Sequence, residues 1–294
     1  MALQQQLLAI ILLFTPAALR GSRSYLSWFV GALLSYSIYF FDGSEYKPHS
    51  RFWPEFLQAG RRLNAAIMRR LFQRVSFILE DEEAVNSLPK VVYCAHPHGV
   101  VPFIHPFLIC NVKHKLCPLG ARVLFKLPLM RELCLWYGAI DANKKTALEA
   151  LKQDFSVSIV IGGTREQMIP FSPTHDTIVC KTRMGYARLA YEAGRVPIVP
   201  AYCFGQSIAH DTGHFMLAFR QRIQRLIGVA LPFPKSILPK YLKDFALVVG
   251  KPLMWEETDT PDTMHKKYVA AVDDLFYRYR GRFPEYKDRE LSKI

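Results

Sequence analysis

The stretch VVYCAHPHG, from Val91 to Gly99, runs an apolar segment straight into a turn that carries two histidines. Pro97 and Gly99 must end any regular ladder, so the segment reads as a buried strand with the histidines at its exit. Similar runs recur at SVSIVIGG, VPIVPAYCF and FALVVG, ending near Gly162, Phe204 and Gly250. Helical stretches lie between them. NKKTALEALKQD has Asn143 as its N-cap residue, and RMGYARLAYEAG is closed by Gly194. A last helix is expected over about Pro261 to Arg280, capped by Thr260 and stopped by Gly281. This alternation predicts an α/β fold with a central, mostly parallel or mixed sheet covered by helices. Ligands in such sheets bind off the carboxyl ends of the strands, where HPHG, GGTREQ and YCFGQ all fall.

At 294 residues, half of them hydrophobic, the chain has ample material for a core. Its 38 Lys and Arg against 25 Asp and Glu give a net charge of +13, which suits anionic lipid surfaces or a polyphosphate-bearing substrate such as coenzyme A. No nucleic-acid-reading motif is present, so nucleic acid is not an expected partner. The six cysteines are scattered through apolar segments without a C-x-x-C pair, which reads as a reduced, cytosol-facing chain. Cys94 beside His96 could form a nucleophile pair, but a thiol buried in a strand is the stronger reading.

The amino terminus is different in kind. Met1 to Leu19 and Ser24 to Phe41 carry no charged side chain, and each is near the roughly 20 residues that cross a bilayer. They read as a hydrophobic membrane hairpin or two short spans over residues 1–41, ahead of a cleaved signal peptide, because no basic region precedes the first run. Residues 42–90 read as a basic surface linker with an amphipathic helix at about Pro54 to Arg74, leaving 91–294 as the main domain.

A histidine on a tight turn in a site of low polarity can take a proton from a hydroxyl, which makes His98 the expected general base and His96 its support. Pro97 fixes the turn, and Gly99 lets a substrate approach the backbone. Gly162 and Gly163 open a backbone-amide pocket after a buried strand, and Arg165 and Glu166 then project toward charged groups. A metal site is not expected, since His-x-His has no third ligand at a fitting spacing. The absence of G-x-x-x-x-G-K, G-x-G-x-x-G and G-x-S-x-G argues against nucleotide hydrolysis, dinucleotide binding and serine esterase chemistry. A base beside an oxyanion-type pocket, in a membrane-attached chain, fits direct acyl transfer to an alcohol.

HPHG at 96–99, Gly162 and Gly163 followed after two residues by Glu166, TRMGYARLA from Thr182, VPAYCFG at 199–205 and VVGKP at 248–252 together resemble the diacylglycerol and monoacylglycerol acyltransferases of the small, hairpin-anchored type. The likeness in order and spacing extends over about Phe40 to Phe283. It implies an acyl-CoA-dependent acyltransferase of lipid biosynthesis at the endoplasmic reticulum membrane or a lipid droplet, with the catalytic domain facing the cytosol. Its implied partners are acyl-CoA as co-substrate, a neutral acylglycerol and membrane lipid, with no further cofactor, and self-association is left open. It favours His98 as base, with His96 and Glu166 in the catalytic set, and carries substrate-binding roles onto Pro97, Gly99, Gly162, Gly163, Arg165, Arg183 and Gly185.

Three departures stand out. Thr164 and Arg165 replace two small residues, Met184 replaces a lysine, and Gln206 replaces a glutamate. GGTR with VPIVP also resembles the glycerophosphate and lysophosphatidate acyltransferases, which pair H-x-x-x-x-D with E-G-T-R. Here Phe103 and Val101 occupy the carboxylate positions and Gly162 stands where that Glu would be. A neutral acceptor is therefore the first expectation and a lysophospholipid the second. A lipid-binding relative without catalysis is the remaining class, against which His98 and Glu166 both speak.

Overall fold

The computed structural model describes residues 23–236 and 238–294. In chain order its helices are α1 (Arg23–Phe40), α2 (Pro54–Leu71), α3 (Glu82–Asn86), α4 (Ile104–Asn111), α5 (Met130–Trp136), α6 (Lys144–Lys152), α7 (Gly163–Glu166), α8 (Gly185–Glu192), α9 (Leu217–Ile227) and α10 (Pro261–Arg280). The strands are β1 (Phe72–Leu79), β2 (Val92–His96), β3 (Leu116–Gly120), β4 (Ile140–Asp141), β5 (Ser156–Val160), β6 (His175–Ile178), β7 (Ile198–Phe204), β8 (Leu242–Val249) and β9 (Glu290–Lys293).

Seven strands form one sheet in the order β1-β8-β7-β2-β5-β3-β4. All neighbours are parallel except β7 and β8, so the sheet is mixed and mostly parallel, as expected. β6 and β9 pair in a small sheet of their own. β2 is central and buried along its whole length, with His96 opposite Tyr202 of β7 and Val92 opposite Val157 of β5. The registers bring the carboxyl ends of β7, β2 and β5 side by side, and the three expected site segments therefore meet at one sheet edge. On one side α6, α8 and α10 cover these strands, with Tyr268 of α10 donating to the Cys94 carbonyl at 3.2 Å. Elsewhere Phe107 of α4 packs on Phe77 and Phe245, extending the core toward β1 and β8.

The caps act as the sequence chemistry requires. Asn143 accepts from Thr146 N–H at the start of α6, and Thr260 accepts from Thr263 N–H at the start of α10. Gly194 takes φ +95° just past the end of α8, a conformation open to glycine.

The expected hairpin is not shown. Met1 to Leu19 lies outside the described residues, and the second run forms the single helix α1, whose serines and tyrosines dilute its apolar character. Among the described residues no helix is long and apolar enough to cross a membrane. α1 is instead tied to the body. Tyr36 donates to Glu132 Oε2 at 2.9 Å, and just past the helix Asp42 and Glu45 meet the fully buried Arg131 at 2.7 and 2.8 Å. The basic stretch expected as a linker does supply the amphipathic helix α2, but it also supplies β1, which pairs with β8 in the main sheet.

Candidate active site

The turn after β2 is held from beneath by one carboxylate. Glu166 Oε1 accepts from His96 Nδ1 at 2.7 Å and from Val179 N–H at 2.8 Å, while Oε2 accepts from His98 N–H at 2.7 Å. α7 can place that carboxylate because Gly162 lacks a side chain: a Cβ there would fall 1.9 Å from Glu166 Cδ. Glu166 thus meets the His96 ring and the His98 main chain, and it supports the turn through both.

Gln206, two residues past the end of β7, holds the other side of the turn. Its Nε2 donates to the Val101 carbonyl at 2.5 Å, and its Oε1 accepts from Phe103 N–H at 3.2 Å. Gly99, at φ +62°, passes so close that a Cβ would sit 2.4 Å from Gln206 Nε2. The departure from glutamate has a physical reason here, since an amide both donates and accepts where a carboxylate could only accept.

His98 lines a cleft of about 570 Å³ together with His105, Lys144, Gly163, Thr164, Arg183, Gly185, Tyr186 and Arg188. A carbonyl oxygen can only accept, so the 2.9 Å contact between His98 Nδ1 and the Gly99 carbonyl places the proton on Nδ1. Nε2 then carries the lone pair. Burial lowers the His98 pKa below its ordinary value, against the raising effects of the Gly99 carbonyl and Glu166, and keeps the ring neutral near pH 7. His105, 2.9 Å from Ser158 Oγ, is held down to about 3 by burial and by the neighbouring His98. His96 is fully buried. Cys94 is no nucleophile candidate, because burial pushes its thiol well above the ordinary value.

The structure divides the expected residues into four groups. His98, Gly163, Arg183 and Gly185 line the cleft. Pro97, Gly99 and Glu166 line a small polar cavity behind the turn, of about 30 Å³, with Asp176, His210 and Arg289. Gly162 and His96 belong to the buried support, and Arg165 is exposed at the end of α7. Sequence reasoning missed His105, Lys144, Arg188 and Gln206. Only Gln206 carried a signal, as the residue that departs from the resembled pattern. Among the described residues no cluster of His, Cys, Asp and Glu is arranged to hold a metal ion.

The diacylglycerol acyltransferase family model matches residues 68–292, which span β1 to β9 and every residue of the site. The chain belongs to that family. Among its relatives are diacylglycerol O-acyltransferase 1 of Eremothecium gossypii, 29% identical over 241 residues (71% of this chain, 51% of the relative), and diacylglycerol O-acyltransferase 2 of Danio rerio, 27% identical over 236 residues (67% and 63%). The chain thus spans about half to two thirds of the length of these relatives. Human acyl-CoA wax alcohol acyltransferase 2 is 26% identical over 282 residues, with 82% of each chain covered. The crystal structure of the 1-acyl-sn-glycerophosphate acyltransferase from Thermotoga maritima shares the fold, with a TM-score of 0.52 at 15% identity over 77% of this chain and 81% of that one.

Proposed function

We propose that this member of the diacylglycerol acyltransferase family is an acyl-CoA-dependent O-acyltransferase that esterifies a neutral lipid alcohol, diacylglycerol to triacylglycerol first and monoacylglycerol to diacylglycerol second. The observation that carries the reading is the His98 imidazole, neutral, with its Nε2 lone pair free of the Gly99 contact and its side chain on the wall of the large cleft. In the proposed step Nε2 takes the proton of the acceptor hydroxyl as its oxygen bonds to the thioester carbonyl carbon. The tetrahedral adduct then breaks its C–S bond, and the leaving coenzyme A thiolate takes from His98 Nε2 the proton that came from the acceptor hydroxyl, which returns the imidazole to its neutral form. Lys144, Arg183 and Arg188 supply positive charge for the coenzyme's phosphates. The reading places the chain at the endoplasmic reticulum membrane or a lipid droplet, with the domain in the cytosol, which the reduced cysteines and the exposed apolar side chains of α1 support.

A second reading makes His96 the base, because a carboxylate sits on its Nδ1. Its complete burial favours His98. Labelled acyl-CoA offered with monoacylglycerol, diacylglycerol, fatty alcohol, sterol and lysophosphatidate tests the reading. Diacylglycerol or monoacylglycerol should accept the label best. Preference for lysophosphatidate would promote that alternative, and no transfer to any acceptor would leave a lipid-binding protein.

A further inference from the structure

β7 and β8 are antiparallel neighbours, which a two-residue hairpin could join, yet residues 205–241 lie between them. The excursion is built, not loose. Arg220 is buried and donates to three carbonyls, those of Phe215 at 2.8 Å, Leu231 at 3.1 Å and Gly213 at 2.8 Å. Thr212 donates to the Ile169 carbonyl at 2.6 Å and its own carbonyl accepts from Phe171 N–H, which pins the excursion to the segment after α7.

What this scaffold presents is apolar. Phe215, Met216, Phe219, Leu226, Leu231, Phe233, Leu238 and Tyr241 are all exposed, Leu226 and Leu238 by about three quarters. The Phe215 and Phe233 rings pack on each other at 5.1 Å between centroids. Among these side chains stand the exposed cations Arg222, Arg225, Lys235 and Lys240. Asp211, the one carboxylate of the excursion, is already paired with Lys240. The patch also adjoins the site, since Gln224 of α9 donates to Thr164 Oγ1 at 2.9 Å and Thr164 lines the His98 cleft.

We infer that residues 214–236 and 238–241 form a membrane-seating platform that rests on an anionic lipid surface beside the mouth of the cleft. Large apolar side chains interleaved with the cations Arg222, Arg225 and Lys235, none of them in an ion pair with a carboxylate of the excursion, match the acyl boundary and headgroups of such a surface, and a protein partner is not called for by the excess of one charge sign. The inference rests on the platform's own surface. It adds to the acyl-transfer reading a direction of entry for a lipid acceptor, and it stands or falls separately from the acceptor's identity.

Hydrogen exchange of the full-length chain, read peptide by peptide, tests it with vesicles of phosphatidylcholine alone and of phosphatidylcholine with phosphatidylserine. Exchange across 214–241 should slow by about tenfold on the mixed vesicles and less on the neutral ones. Because the readout is local, attachment through α1 does not enter it. The exposed-site variant Phe215→Ser/Phe219→Ser/Leu226→Ser, with an unchanged melting temperature, should lose that slowing. Arg222→Glu with Arg225→Glu should remove the difference between the two vesicle types. Unchanged exchange in 214–241 on vesicle-bound protein overturns the inference. Slowing that appears without lipid and grows with protein concentration overturns it as well, and assigns the face to a second copy of the chain.

Discussion

Glu166 and His96, 70 residues apart in the chain, are joined by a 2.7 Å hydrogen bond with both side chains out of solvent. The same carboxylate takes the main-chain N–H groups of His98 and Val179, so three donors converge on it. A buried anion is tolerated where its oxygens are met in this way.

Glu166→Gln should therefore be costly although it is nearly isosteric. One amide nitrogen must face a donor, and a buried unpaired group costs about 1–3 kcal/mol. The turn bearing His98 would shift, and turnover should fall by the same factor for every acceptor, because no acceptor contact is touched. Thermal melting and turnover over an acceptor panel check this. Wild-type values in both would remove Glu166 from the support of the turn.

His98→Ala should lower acyl transfer by a factor of roughly 100 to 10,000, the usual loss with a general base, while membrane association persists. The wild-type pH profile bears on the same residue. Burial depresses the His98 pKa below 6.5, so the basic form predominates at neutral pH and activity should be lost as pH falls through a value below 6.5. An acid limb with its midpoint above 6.5, or near-normal turnover in the variant, would transfer the role to another group.

Gln206→Glu should destabilise the chain by about 1–3 kcal/mol, because a carboxylate opposes the Val101 carbonyl that the amide now serves. Denaturant unfolding compared with Gln206→Ala separates repulsion from the mere loss of two bonds. A glutamate variant as stable as wild type would mean that the 99–103 turn is not held from β7.

Arg183 and Arg165 should behave differently. Arg183 lines the cleft, and Arg183→Ala should raise KM for acyl-CoA by about tenfold, as expected for the loss of a charged phosphate contact. Arg165 is exposed, and Arg165→Ala should leave the ranking of acceptors unchanged. Selective loss of lysophosphatidate transfer in Arg165→Ala would favour the phosphate-bearing acceptor instead.

Local chemistry made part of this molecule legible in its sequence. β2, β5, β7 and β8 are apolar runs bounded by Gly or Pro, and α6 and α10 announce themselves by Asn143 and Thr260, because strand burial and helix capping depend on neighbours in the chain. β1 was hidden behind a basic helix by its own Gln73 and Arg74, and β3 by Pro118, since an edge or near-edge strand need not be apolar on both faces. The position of HPHG, GGTRE and FGQ at strand exits was readable, and so was the pairing of chemistry they imply. Which atoms meet was not. That Glu166 holds the His96 ring and the His98 main chain, that His98 faces the cleft while His96 is buried, and that Gln206 must be an amide all depend on the order β7-β2-β5, which brings three distant strand ends within hydrogen-bond reach. Hydrogen bonds reach about 3 Å, and only the closed sheet defines distances on that scale between residues so far apart in sequence.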